Sequence, residues 1–264
     1  MRSIAVSSGK GGVGKTSVAL NLGIILAQNG KKVVVIDGDV SMANVGIMLG
    51  VERVPLNLHH VLLGETDIRD AMYAGPHGMY YVPSGLSMER IAKLNFDLLK
   101  EGVSELARDM DFILIDCPPG LSTDARAALL SANELLLILT PDPASLADSM
   151  KVLNFAIKNN MSIAGVVENM VLNDRSEIKR DDLETLLATK IVQSIPEDVE
   201  MRKSAAAQVP LVIKNPRAPS AQALRDLAAF LLGAPVKAGA STNVKKGIIA
   251  RILDAIGSLF RRKQ

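Results

Sequence analysis

The sequence has little cysteine, few aromatic side chains and no long apolar run. One cysteine, Cys117, excludes a disulfide framework, and with only three histidines beside it a zinc site is also excluded. Five Phe, three Tyr and no Trp in a chain that is 48% hydrophobic predict an aliphatic core, as in parallel sheets covered by helices. No window of 18 apolar residues occurs, and Arg2 and Ser3 follow the first residue without an apolar signal region. We therefore expect an intracellular protein that does not span a membrane.

Charge is distributed unevenly along the 264 residues. The net charge is +2, but residues 244–264 carry six basic side chains against Asp254, which gives this segment +5 and leaves residues 1–243 at −3. The length fits one large α/β domain with a sizeable core. The basic character thus belongs to the end of the chain.

Strand-like apolar runs alternate with helical patterns, which favours a doubly wound, mainly parallel sheet flanked by helices. The predicted strands are residues 3–7, 33–37, 79–82, 112–116, 135–140, 163–167 and 191–195. The predicted helices are residues 16–28, 87–94, 98–109, 124–131, 144–158, 181–188 and 220–232. Residues 56–63 and 68–72 could each form a short helix beside a loop.

The strongest motif is Gly9-Lys10-Gly11-Gly12-Val13-Gly14-Lys15-Thr16, directly after the first predicted strand and before the first predicted helix. Glycines let successive backbone N–H groups point at one phosphate, and the helix N-terminus favours negative charge. Lys15 is predicted to reach the β- and γ-phosphates and Thr16 to ligate Mg²⁺. The predicted nucleotide-binding residues of this segment are Gly11, Gly12, Val13, Gly14, Lys15, Thr16 and Ser17.

Carboxylates end two further predicted strands. Asp116 ends an apolar strand where P-loop enzymes place an acid beside Mg²⁺, and Gly120, after Cys117-Pro118-Pro119, could sense the γ-phosphate through its N–H. We expect Cys117 to be a small buried filler. In Asp37-Gly38-Asp39, we expect Asp39 to orient the attacking water. The predicted catalytic residues of these segments are Lys15 and Asp39, and the predicted metal-site residues are Thr16, Asp39 and Asp116.

Lys10 occupies a position that the general phosphate-loop pattern leaves free, and with it the motif resembles the deviant Walker A motif of the MinD/ParA class of ATPases. In that class, this lysine contacts phosphates of the nucleotide held by the facing subunit. The resemblance therefore adds Lys10 to the predicted catalytic residues and implies an ATP-dependent homodimer. Asp37-Gly38-Asp39 with Asn44 fits the first switch of the class, and residues 116–120 fit the second. The resemblance spans nearly all of residues 1–232, the predicted ATPase domain.

Two later segments resemble the base-binding parts of the same class. Val167-Glu168-Asn169 is similar to a strand end whose Asn reads the adenine edge, and Pro196-Glu197-Asp198 to a loop that closes over the base. An Asn amide can pair with adjacent donor and acceptor atoms of adenine. The resemblance thus adds Asn169, Pro196 and Asp198 to the predicted nucleotide site.

The end of the chain has a different composition. Residues 233–243 are small, with Pro and Gly, and predict a flexible linker. In residues 244–264, large apolar residues recur at helical spacing and basic residues take other faces, which is typical of an interfacial membrane helix. It resembles the C-terminal membrane-targeting helix of MinD proteins, and its predicted membrane face is Ile248, Ile249, Ile252, Leu253, Ile256, Leu259 and Phe260.

The expected function is that of an ATPase that uses ATP and Mg²⁺, attaches reversibly to the inner face of the cell membrane and regulates division-site placement. The expected partners are a second copy, an anionic membrane surface and an unidentified division inhibitor or activator. A ParA-type DNA-segregation or polar-positioning ATPase would need a basic domain surface, whereas residues 1–243 are net acidic. An Mrp-like iron–sulfur carrier would need cluster cysteines that one Cys cannot supply. A metabolic P-loop enzyme is a further alternative, without a recognisable second-substrate pocket.

Overall fold

The computed structural model describes residues 1–51, 53–85 and 93–235. Within these ranges, one eight-stranded sheet has the order β3-β4-β2-β5-β1-β6-β7-β8, and its pairs are parallel apart from β3 with β4. The strands are β1 (Arg2–Ser7), β2 (Val33–Asp37), β3 (Tyr73–Ala74), β4 (Tyr80–Val82), β5 (Phe112–Asp116), β6 (Glu134–Leu139), β7 (Ser162–Val171) and β8 (Ile191–Pro196). The doubly wound fold predicted from the alternating pattern is confirmed.

Helices cover both faces of the sheet. They are α1 (Lys15–Gln28), α2 (Val45–Met48), α3 (Leu58–Leu62), α4 (Asp97–Leu106), α5 (Thr123–Leu130), α6 (Pro143–Lys158), α7 (Arg180–Leu187), α8 (Val199–Ala206), α9 (Leu211–Lys214) and α10 (Pro219–Leu231). The sequence pattern did not predict β3, α2, α8 or α9, which are short. The helix expected at residues 87–94 falls mostly on residues outside the described ranges.

One of the two short helices left open in the sequence is present and the other is absent. Residues 56–63 contain α3, whereas residues 68–72 form turns, with the Asp70 N–H donating to the Asp67 carbonyl and the Met72 N–H to the Arg69 carbonyl. The side chain of Asn57 caps the start of α3 by accepting from the His59 N–H at 3.0 Å, which favours a helix in this segment. After residues 68–72 the chain passes directly into β3.

The core consists of two aliphatic layers, one on each face of the sheet. In β5, Ile113 and Ile115 pack with α3 to α7, whereas Phe112 and Leu114 face the layer of α1, α9 and α10. Successive strand residues point to opposite faces, so a strand buried on both faces must be apolar throughout. This explains why the strands read as continuous Val, Ile and Leu runs.

The carboxyl ends of the parallel strands lie at one edge of the sheet, and their amino ends lie at the opposite edge. The carboxyl ends of β1, β2 and β5 meet at one edge, where Asp37 and Asp116 are in register. Helix α10 runs from that edge, where Ser220 donates to Asp198, to the opposite edge, where Arg2 Nη1 donates to the Leu231 carbonyl at 2.6 Å. The described chain therefore ends away from the predicted nucleotide site.

The predicted boundaries of the ATPase domain, the linker and the membrane helix, after residues 232 and 243, stay predictions. Only residues 233–235 of the predicted linker are described, and the predicted membrane helix at 244–264 lies outside the described residues. Among the helices of the described ranges, none combines the length and apolar character needed to cross a bilayer.

Candidate nucleotide-binding site

The phosphate loop connects β1 to α1 and has the backbone that its glycines predict. Gly12 has φ +79° and Gly14 has φ +91°, a left-handed conformation that side chains rarely adopt. Gly14 is the N-cap of α1 and its carbonyl accepts from the Val18 N–H at 3.0 Å. The loop thus ends at a helix N-terminus, where free N–H groups and the helix dipole favour a phosphate.

Lys15 lies inside this loop. The residue is 8% exposed, and its Nζ donates to Ser8 Oγ at 3.1 Å. Burial lowers the pKa of Lys15, against the raising effect of the nearby Asp116 and Asp39 charges. A phosphate at the loop would supply the negative charge that a buried ammonium group needs.

Lys10 points the other way. Its side chain is 51% exposed, and its Nζ lies 4.0 Å from Oδ1 of Asp142, the N-cap residue of α6. In this conformation Lys10 is directed away from the interior of its own loop.

A pair of buried carboxylates lies beside the loop. Asp116 Oδ2 accepts from Thr16 Oγ1 at 2.5 Å, while Asp116 Oδ1 is buried without a hydrogen-bond partner. Asp37 Oδ1 is likewise buried without a partner. Burial is the main cause that raises the pKa of Asp37 to about 8 and that of Asp116 to about 7, and the two carboxylates repel each other. The raised pKa values mean that a nearby positive charge would stabilise the ionised form of both carboxylates.

These atoms fit Mg²⁺. Thr16 and Asp116 offer hydroxyl and carboxylate oxygens, the ligands that this cation prefers, and an unpartnered buried oxygen is what a bound cation would satisfy. Within the described ranges no group of three or more His, Cys, Asp or Glu forms a metal cage. Mg²⁺ is commonly held by one or two carboxylates together with water and nucleotide phosphates, so a small ligand set is in keeping with this cation.

Asp39 and Asp37 have different surroundings although they are two residues apart. Asp37 Oδ2 accepts from the N–H groups of Asn44 at 2.9 Å and Val45 at 3.0 Å, so it anchors the start of α2. Asp39 is partly exposed, its Oδ1 accepts from the Met42 N–H at 2.9 Å, and its pKa is raised mainly by desolvation. The structure therefore brings Lys15, Asp39 and Asp116 together. Asp37 in addition holds the backbone at the start of α2.

The segment after β5 contacts the phosphate loop directly. Gly120 has φ +76°, and its N–H donates to the Ser8 carbonyl at 2.8 Å. Cys117 is buried, and burial raises the pKa of its thiol far above its usual value. Cys117 is thus the small buried residue that the sequence predicts. The Gly120 N–H is bonded to the Ser8 carbonyl, and its contact with the γ-phosphate stays a prediction.

The predicted base-binding residues are held by protein contacts. Asn169 is 5% exposed and its Nδ2 donates to the Val13 carbonyl at 2.7 Å, which places it behind the phosphate loop. Asp198 caps α8 by accepting from the Glu200 N–H at 2.9 Å, and its second oxygen accepts from Ser220 Oγ at 2.7 Å. Pro196 ends β8. Their contact with adenine stays a prediction.

The sequence reasoning missed Asn21, a buried polar residue of α1. Its Nδ2 donates to the Ser17 carbonyl at 2.8 Å, and its Oδ1 accepts from the Val212 N–H at 2.9 Å. Asn21 therefore ties the helix after the phosphate loop to α9, near the predicted base-side segment. A polar residue within an otherwise apolar helix was the available signal.

Comparison with known proteins places this site in a family. A sequence model described as an AAA domain matches residues 1–164, and one described as NUBPL iron-transfer P-loop NTPase matches residues 97–232. Together with the MinD relatives described in the next paragraph, these matches show that the chain belongs to the MinD/ParA family of P-loop ATPases. As a member of this family, it is an ATPase that uses ATP and Mg²⁺.

Individual relatives narrow the comparison. An uncharacterized ATP-binding protein of Methanocaldococcus jannaschii is 37% identical over 260 residues, covering 98% of this chain and 97% of its own. The septum site-determining protein MinD of Escherichia coli K12 is 30% identical, with 95% of this chain and 98% of its own covered. The structure is similar to MinD of Pyrococcus horikoshii complexed with Mg-ADP, with a TM-score of 0.84, 35% identity, and coverage of 87% of this chain and 95% of that one.

Proposed function

We propose that this protein is a MinD-like ATPase that dimerises around ATP, attaches to anionic membrane as a dimer and takes part in placing the division site. The observation that carries the proposal is the opposite orientation of the two lysines of the phosphate loop. Lys15 is buried in its own loop, whereas Lys10 is half exposed and directed outward. An outward lysine is available to the nucleotide of a facing subunit.

Nucleotide binding would use the buried part of the site. The N–H groups of the phosphate loop and Lys15 would hold the phosphates, and Thr16 with Asp116 would hold Mg²⁺. Mg²⁺ would neutralise charge on the phosphate oxygens during hydrolysis. Asp39, beside Lys15 and partly exposed, would orient the attacking water. Asn169 and the segment of Pro196 and Asp198 would lie on the base side.

Membrane attachment would use residues 244–264. Each basic residue contributes about 1 kcal/mol near anionic lipid, whereas ordering a free segment costs about 1 kcal/mol per residue for the backbone. Membrane binding by one such helix is thus marginal. Two helices on one dimer bind more tightly, because binding of the first raises the effective concentration of the second at the membrane.

The alternatives have less support. A DNA-segregation role would need phosphate contacts on a basic domain, and residues 1–243 are net acidic. An iron–sulfur carrier would need several cysteine ligands, and the sequence has one cysteine, which is buried under the phosphate loop. The division inhibitor or activator expected as a partner stays a proposal from the family resemblance.

The test is sedimentation of the full chain with anionic vesicles in the presence of ATP. Ile252→Glu places a charge in the apolar face and should lower bound protein at least tenfold, because it removes burial and adds repulsion. Ser258→Glu is the matched control, since it adds the same charge on another face and should lower binding only about twofold to fivefold. Wild-type protein that ignores anionic vesicles with ATP, or equal losses in the two variants, would contradict insertion of this face.

A further inference from the structure

A buried histidine outside the predicted site holds the loop that carries Asp39. His59 is the second residue of α3 and is 7% exposed. Its Nε2 lies 3.1 Å from the carbonyl oxygen of Val40, the residue directly after Asp39. Val40 is itself 2% exposed, so this carbonyl has little access to water. The sequence motifs do not include His59, which is 19 residues from Val40 in the chain.

The chemistry of this contact fixes the role of each atom. A carbonyl oxygen can only accept, so the imidazole must donate through an Nε2–H. Burial is the main cause that lowers the pKa of His59, which favours the neutral ring with its single proton on Nε2. The contact is thus a neutral hydrogen bond to a buried acceptor. Its loss would leave that acceptor unpaired.

His59 stands on a well-anchored element. The Leu58 N–H donates to the Pro83 carbonyl at 2.9 Å, and Asn57 caps α3 through the His59 N–H. The ring also packs against Gly85 so closely that a Cβ at this glycine would lie 2.6 Å from His59 Nδ1. Neither the backbone of α3 nor the ring can move far without breaking these contacts.

The Asp39 loop is held by internal hydrogen bonds, by the packing of the Val40 side chain in the core and by the Gly38 N–H, which donates to the Asp116 carbonyl at 2.9 Å. Asp39 Oδ1 accepts from the Met42 N–H, and the Val40 N–H donates to the Gly38 carbonyl at 3.1 Å. Both bonds lie within the loop and would move with it. The hydrogen bond to His59 links the loop to another element of the fold.

We propose, given the hydrolytic role proposed above for Asp39, that His59 is a positioning residue for ATP hydrolysis, acting by holding the Val40 carbonyl so that Asp39 stays aimed at the attacking water. In this proposal His59 contacts neither the substrate nor the metal and acts only through the Val40 carbonyl. Its effect is therefore on turnover and not on nucleotide affinity.

The experiment measures kcat and KM for ATP in His59→Met, His59→Gln, Asp39→Ala and the double variant Asp39→Ala/His59→Met. His59→Met fills the space without a donor and should lower kcat about tenfold with KM within twofold. The amide nitrogen of Gln can take the position of Nε2 and donate to the Val40 carbonyl, so His59→Gln should keep kcat within about twofold of wild type. In the Asp39→Ala background, His59→Met should cause no further loss. Should His59→Met fail to fold, His59→Asn, whose amide is too short to reach Val40, replaces it.

The outcomes separate two kinds of failure. Wild-type kcat in His59→Met alongside slow Asp39→Ala overturns the role of His59 and leaves the proposed function intact. A full tenfold further loss in the double variant, or no recovery in His59→Gln, also overturns it, because His59 would then act independently of Asp39 or of its donor. Wild-type kcat in Asp39→Ala instead refutes the proposed role of Asp39, and the role of His59 fails with it.

Discussion

The phosphate loop has a floor, formed by the buried Lys15 and Asp116 with the half-buried Thr16, and a rim, formed by the exposed Lys10 with the half-buried Asp39 and Asp142. In the floor, Lys15 is 8% exposed and Thr16 donates to a buried carboxylate. At the rim, the Lys10 side chain is 51% exposed and 4.0 Å from Asp142. The floor residues contact one another within one chain, whereas Lys10 forms a solvent-exposed ion pair with Asp142, which is weak. The difference suggests that one subunit suffices to bind nucleotide and that the rim acts between subunits.

The largest expected effect comes from the floor. Lys15→Ala removes the ammonium group that would donate to two phosphates, and at about 2 kcal/mol for each charged hydrogen bond the affinity for ATP should fall about a thousandfold. Titration calorimetry measures this loss. Lys31→Ala, at an exposed position outside the loop, is the control and should bind as wild type does. Retention of affinity within threefold in Lys15→Ala would mean that the floor is not the phosphate site.

The acid at the rim should separate turnover from binding. Asp39→Ala should slow hydrolysis about a hundredfold while ATP affinity stays within a few-fold, because Asp39 would orient water and not hold nucleotide. Asp39→Asn keeps an oxygen for the Met42 N–H and removes only the charge, so it tests the carboxylate itself. Steady-state hydrolysis and calorimetry give the two readings. Normal hydrolysis in Asp39→Asn would assign the effect of Asp39→Ala to loop structure.

The smallest expected effect comes from the partner of Lys10. Asp142→Asn keeps the cap of α6, where Oδ1 accepts from the N–H groups of Ala144 and Ser145, and removes the charge facing Lys10. Because an exposed ion pair is worth at most about 1 kcal/mol, ATP-dependent dimerisation should tighten about threefold. Analytical ultracentrifugation measures it. Weaker dimerisation would show that Asp142 contributes to the dimer in a way other than competing for Lys10.

Much of the floor could be predicted from the sequence because its residues follow strands. Gly12, Gly14, Lys15 and Thr16 belong to one contiguous motif, and the carboxyl ends of parallel strands meet at one edge, which brings Asp116 to Thr16. The fold follows from the same alternation of strands and helices, and the family resemblance rests on Lys10 together with the segments at residues 37–39 and 116–120.

The remaining contacts depend on distant segments and could not be read from local pattern. The Lys10–Asp142 pair, the hydrogen bond from Asn169 to Val13 and the contact of His59 with Val40 each join residues far apart in the chain. The sequence pattern also did not predict the short helices α2 and α9, because four residues are too few to show a helical periodicity. Residues 68–72 were open to a helical interpretation because a five-residue apolar spacing does not distinguish a helix from a turn.

The most direct test of the division between floor and rim is the mass of wild type and Lys10→Ala, measured by light scattering with Mg²⁺ and a non-hydrolysable ATP analogue. Wild type should double in mass relative to its ADP-bound state. Lys10→Ala should bind the analogue within about tenfold of wild-type affinity and keep the mass of one chain, because its floor is intact and its outward lysine is gone. A Lys10→Ala protein that doubles in mass like wild type would contradict the account.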